Sequence, residues 1–148
     1  MKKTLAGLMA AMFLAAATGC EKTTVEGPAG KRLTIVKPAD QTLKRGEINE
    51  VLVMISRENF GGAVDITFEN LPKGVHVVDA RPIPSDKSRG TFTLHADPDA
   101  GLVEKHSILV TASGPDGMRA TEMFLVTVKD KIAKPESTPT ESGAPDNP

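Results

Sequence analysis

The sequence predicts an all-β domain, an antiparallel β-sandwich of about seven short strands. Three observations carry that expectation. Apolar and polar residues alternate with period two in successive short segments, which is how a strand with one buried face reads. Turn-forming residues separate those segments at regular intervals. No stretch beyond the first twenty residues repeats its apolar side chains with the 3.6-residue period of an amphipathic helix.

The elements follow in order along residues 33–130. Leu33, Thr34, Ile35 and Val36 open a strand that Pro38 ends, because proline donates no ladder hydrogen bond. Residues 50–55 are almost continuously apolar and put Val51, Val53 and Ile55 on one face. Val64, Ile66 and Phe68 alternate with Asp65, Thr67 and Glu69, and Val75 and Val77 make a shorter strand. The run Arg81-Pro82-Ile83-Pro84 suits an edge or a loop, since two prolines cannot pair in a central strand. Phe92, Leu94 and Ala96 form the next inward face, then Ile108, Val110 and Ala112, then Phe124, Val126 and Val128. Gly114-Pro115-Asp116-Gly117 marks a hairpin turn before the last strand.

Arg57-x-x-Phe60-Gly61-Gly62-x-Val64-x-Ile66, followed by Leu71-Pro72-x-Gly74-Val75, resembles part of the bacterial immunoglobulin-like envelope modules. The turn Ala96-Asp97-x-x-Ala100-Gly101 before the strand at 107–112 is similar to them as well. The resemblance spans residues 33–130 and implies an immunoglobulin-like sandwich with a role in spacing, display or adhesion. The chain departs from antibody-type domains, having neither Trp nor Tyr and a single cysteine.

The first residues read as an address. Lys2 and Lys3 precede an apolar run at residues 5–17, which is shorter than the roughly 18–20 residues a spanning helix needs. Small residues then lead to Cys20, completing the plan of a secretory signal peptide over residues 1–19. Ala17-Thr18-Gly19-Cys20 resembles the lipobox of bacterial lipoproteins, although that family prefers Leu where Ala17 stands. The resemblance implies cleavage before Cys20, a diacylglyceryl group on its thiol and an acyl group on its amine. Several acyl chains together suffice for stable membrane anchoring. Glu21 is not the Asp that resembles an inner-membrane retention signal, so the expected address is the outer membrane of the cell envelope.

Residues 20–32 hold Gly27-Pro28 and Gly30 without apolar periodicity, and the expectation is a flexible tether below the lipidated cysteine. Gly30-Lys31 does not make a phosphate loop, because Val25 and Arg32 stand where that motif needs Gly and Ser or Thr. Residues 131–148 contain four prolines and few apolar side chains, the composition of a disordered tail.

Composition excludes several functions. Without Lys2 and Lys3 the chain carries 16 cationic and 19 acidic side chains, a net charge of −3. That balance offers no basic stripe for nucleic acid. With neither Trp nor Tyr, the usual stacking platforms for sugars and unpaired bases are missing. No G-x-S-x-G elbow is present, and His76, His95 and His106 have no metal-ligand spacing. His76 and His95 fall on outward phases, where a solvated histidine is ordinary. Met54, Met118 and Met123 could suggest a soft metal site, but strand methionines usually fill core gaps.

Asp97 and Asp99, with Glu104, are the candidate Ca²⁺ ligands, set against an ordinary Asp-Pro-Asp turn. No catalytic residue and no cofactor beyond the lipid on Cys20 is expected. The chain reads as a non-catalytic, lipid-anchored envelope module that binds, spaces or adapts another envelope component. Arg57, Arg81, Arg89 and Arg119 are its candidate contacts. The alternatives are an envelope lipoprotein that binds Ca²⁺, a small ligand or a glycan and, more remotely, a hydrolytic enzyme.

Overall fold

A computed structural model describes residues 21–132. The expected signal peptide at 1–19, Cys20, and all of the expected tail but Lys131 and Ile132 lie outside the described residues. Among the described residues nine strands are formed: β1 (Lys22–Glu26), β2 (Arg32–Val36), β3 (Gln41–Lys44), β4 (Ile48–Glu58), β5 (Asp65–Glu69), β6 (Val75–Val77), β7 (Arg89–Ala96), β8 (Val103–Ser113) and β9 (Arg119–Lys129). They make a five-stranded sheet in the order β1-β2-β4-β7-β6 and a four-stranded sheet in the order β3-β9-β8-β5. Setting β1 and β3 aside, β2-β4-β7-β6 faces β9-β8-β5. This is the ABED-against-CFG arrangement of an immunoglobulin-like sandwich.

The alternation read from the sequence is what the core uses. Val51, Val53 and Ile55 of β4 and Phe92, Leu94 and Ala96 of β7 are buried from one sheet. Ile108, Val110 and Ala112 of β8 and Phe124, Val126 and Val128 of β9 meet them from the other. Phe68 sits edge-on to Phe92 and Phe124, with ring centroids 5.4 and 6.3 Å apart. Such T-shaped pairs add about 0.5–1.5 kcal/mol beyond burial and replace the Trp that antibody-type domains place between their sheets. Of the three methionines, Met118, in the turn just before β9, is buried; Met54 and Met123 point outward.

Two strands were not expected. The stretch assigned to a tether holds β1, which pairs antiparallel with β2 from Lys22↔Val36 to Glu26↔Arg32. A 3-10 turn at Pro28–Gly30 joins them, with Ala29 and Gly30 in left-handed conformation at φ 57° and 69°. The hairpin is fastened at both ends: the Lys37 N–H donates to the Glu21 carbonyl at 2.8 Å, and the Gly27 N–H to the Lys31 carbonyl at 2.8 Å. Thr23 Oγ1 also donates to Glu122 of β9 at 2.6 Å, closing the sandwich side between the sheets. Residues 21–32, expected as a tether ahead of Leu33, therefore belong to the folded domain. β1 escapes periodicity analysis because an edge strand with the sequence KTTVE turns only Thr23 and Val25 inward.

β3 escapes for a similar reason, having one buried residue, Leu43. It pairs parallel with β9, the one parallel pairing among the described strands. Arg81-Pro82-Ile83-Pro84 is a loop as expected, held to Val64 by an isolated antiparallel bridge at Ile83.

Candidate functional site

The acidic residues singled out as Ca²⁺ ligands are not gathered into one site. Asp97 ends β7 and Asp99 lies in the turn that follows, closed by the Ala100 N–H donating to the Asp97 carbonyl at 3.0 Å. Glu104 points from β8 in the other sheet and is exposed. Among the described residues, no three His, Cys, Asp or Glu side chains converge so as to hold a metal ion.

The Asp97 carboxylate instead lies between two imidazoles. His76 Nε2 is 2.8 Å from Oδ2, and His95 Nδ1 is 3.3 Å from Oδ1. The register causes this, because β6 pairs with β7 so that His76 faces His95 on the outer side. Each ring engages a different oxygen, so the carboxylate fills the space a shared cation would need. The arrangement clasps β6 to the end of β7. His106 stands apart on the four-stranded sheet, where its Nε2 is 2.8 Å from the Asn70 carbonyl oxygen. The 19-residue spacing of His76 and His95 concealed the pair; only the strand register would have revealed it.

The four arginines considered as contacts have different surroundings. Arg57 is a brace: its guanidinium donates to the carbonyls of Ile83, Pro84 and Lys87 and so fixes the 81–88 loop. Its Nε is buried without a partner, and burial pulls its pKa below the ordinary arginine value. Arg57 is therefore unavailable as a surface contact. Arg81, Arg89 and Arg119 are exposed.

The groove of about 880 Å³ beside the 81–88 loop is lined by Leu52, Arg81, Lys87, Arg89 and Thr91, among others. It is open to solvent on one side. Its cations, with Asp86 as the acidic lining residue, suit an anionic surface better than an enclosed substrate.

The outer face of the five-stranded sheet has two unlike ends. At one, Arg32 lies between Glu26 and Glu58, at 2.8 and 3.7 Å, so its cation is engaged by two carboxylates. At the other, the register aligns Lys22, Val36, Met54 and Arg89 in one row across four strands. No ion pair among the described residues engages Lys22 or Arg89. Next to this row, the Glu21 carboxylate pairs with the Lys37 ammonium and holds its pKa above the usual lysine value.

No family model matches the chain, and no curated protein matches it. Solved structures do. A chimeric titin Z1Z2 functionalized with a KLER exogenous peptide from decorin aligns at 17% identity and TM-score 0.41, covering 74% of this chain and 95% of that one. The titin M3 domain aligns at 10% identity and TM-score 0.38, covering 75% and 99%. Domains 4 and 5 of the S-layer protein SbsC align at 17% identity and TM-score 0.35, covering 73% and 68%. At these identities and scores the likeness carries no argument about activity or partner, and the immunoglobulin-like assignment rests on the strand order itself.

Proposed function

We propose that the chain is exported, acylated at Cys20 and held at the cell envelope, where its sandwich acts as a non-catalytic module that binds or spaces another envelope component. The observation that carries this reading is the position of the single cysteine. Cys20 follows Ala17-Thr18-Gly19 and directly precedes Glu21, which is itself paired into the domain. Cleavage before Cys20 would thus leave every described residue of the fold in the mature chain. The filled core and the open groove suit a module that works through its surface. Acylation confines that surface to a membrane and raises its effective concentration toward partners there.

Mass spectrometry of the mature N-terminus tests the reading. A diacylglyceryl-modified, N-acylated Cys20 peptide is expected, and Cys20→Ser should move the chain out of the membrane fraction. An unmodified Cys20 on a secreted chain would overturn it. Crosslinking in cells at native expression then identifies the partner, which should be lost with the anchor in Cys20→Ser.

A further inference from the structure

We propose that the outer face of the five-stranded sheet lies on the lipid bilayer, with the exposed apolar stripe of β4 as its contact. The proposal rests on acylation of Cys20. Because Glu21 is already paired and is the one residue between Cys20 and Lys22, the acylated position lies two residue steps from Lys22, a reach of at most about 7 Å. There is no tether to lift the domain away.

The register then fixes the attitude of the domain. Lys22 lies level with Val36 and Met54, and β4 runs six residues further, to Ile48, in the direction in which the chain leaves toward Cys20. At about 3.4 Å per residue, the sheet projects about 20 Å past Lys22. The acylated residue can cover only about 7 Å of that distance, and the polar layer of one leaflet is about 5–8 Å thick. A sandwich standing on this end would push folded, charged backbone into the hydrocarbon. It must lie over instead.

Side-chain chemistry selects the face. Ile48, Leu52 and Met54 project outward from β4 at 66, 45 and 42% exposure, and half-buried Val36 extends the patch across β2. Lys22 and Arg89 end the row through Met54, and Arg81 and Lys87 line the adjoining groove. Apolar side chains bordered by cations match a bilayer with anionic headgroups, the stems entering while the charges stay at the phosphates. Glu50 is the acidic residue within the stripe and faces Thr93. The opposite sheet offers Met123, 46% exposed beside Leu109, but no comparable cationic border in its row.

The test uses the full acylated chain in phosphatidylethanolamine–phosphatidylglycerol vesicles. Leu52→Cys, Met54→Cys and Met123→Cys each carry an environment-sensitive fluorophore; Cys20 is blocked by its lipid. The expected result is a blue shift and quenching by lipid-borne nitroxide at 52 and 54, with position 123 quenched by aqueous iodide. Quenching by iodide at all three positions would refute the docking, as would nitroxide quenching at 123 alone. Shielding of 52 and 54 from both quenchers would assign the stripe to a protein and likewise refute it. Mass spectrometry of the Cys20 peptide from the same sample separates the two proposals: absent acyl groups overturn both, whereas acylation with iodide-quenched 52 and 54 overturns only this one.

Discussion

Hydrogen exchange along residues 22–26 distinguishes a strand from a tether. The bonds from Lys37 N–H to Glu21 O and from Gly27 N–H to Lys31 O make 21↔37 and 27↔31 hydrogen-bonded positions. Alternation in an antiparallel ladder then directs the amides of Thr23 and Val25 toward β2 and those of Lys22, Thr24 and Glu26 toward solvent. Proline converts this into a stability measurement. Val25→Pro removes one ladder bond, about 0.5–1.5 kcal/mol, and part of a half-buried side chain, about 1 kcal/mol. Thr24→Pro removes an amide that bonds only to water, and an edge strand tolerates it there. Val25→Pro should therefore lower stability by about 1.5–2.5 kcal/mol. At about 4–8 °C per kcal/mol for a domain near this size, the melting temperature falls by about 6–20 °C. Thr24→Pro should lower stability by only about 0.5–1 kcal/mol, through the exposed Thr24 Oγ1–Thr34 Oγ1 hydrogen bond that it removes. Amide exchange read by NMR should show Thr23, Val25 and Gly27 protected and their neighbours fast. Uniformly fast exchange from 22 to 26, or equal effects of the two prolines, would refute the strand and with it the short linkage to Cys20.

Other outcomes follow from particular residues. Gly74 has φ +76°, and a Cβ there would lie 2.8 Å from the Ala100 Cα; Gly117 has φ +74° with open space around it. In urea titrations both Gly→Ala variants lose about 1–2 kcal/mol to the left-handed backbone, and Gly74→Ala loses about 1–3 kcal/mol more. Arg57→Met unties three carbonyls and should cost about 2–3 kcal/mol, with faster tryptic cleavage at Lys87 as the local readout. Lys37 has a raised pKa, so its bond to Glu21 stabilises fully below the ordinary value of 10.5 and is lost as pH rises through the folded value. The stability gap between wild type and Lys37→Met should accordingly close as pH rises through that alkaline range. Calcium should leave the melting temperature unchanged, since His76 and His95 already occupy Asp97; a shift abolished by Asp97→Ala would restore the acidic turn as a site.

The sequence by itself determined which side chains make the core. Val51, Val53 and Ile55, or Phe124, Val126 and Val128, announce their face because a strand's side chains alternate whatever its partner is. That local rule yields seven strands and a sandwich. It also finds Cys20, whose meaning lies in adjacent residues. It cannot find β1 or β3, whose inward residues are too few to form a pattern, and which exist because β2 and β9 offer them backbone partners. Nor can it bring His76 to His95, or set Lys22, Val36, Met54 and Arg89 in one row, because register is a relation between segments distant along the chain. Tertiary structure alone decided those pairings. In doing so it replaced an expected tether with a strand and brought Lys22 into one row with the outer face of the five-stranded sheet.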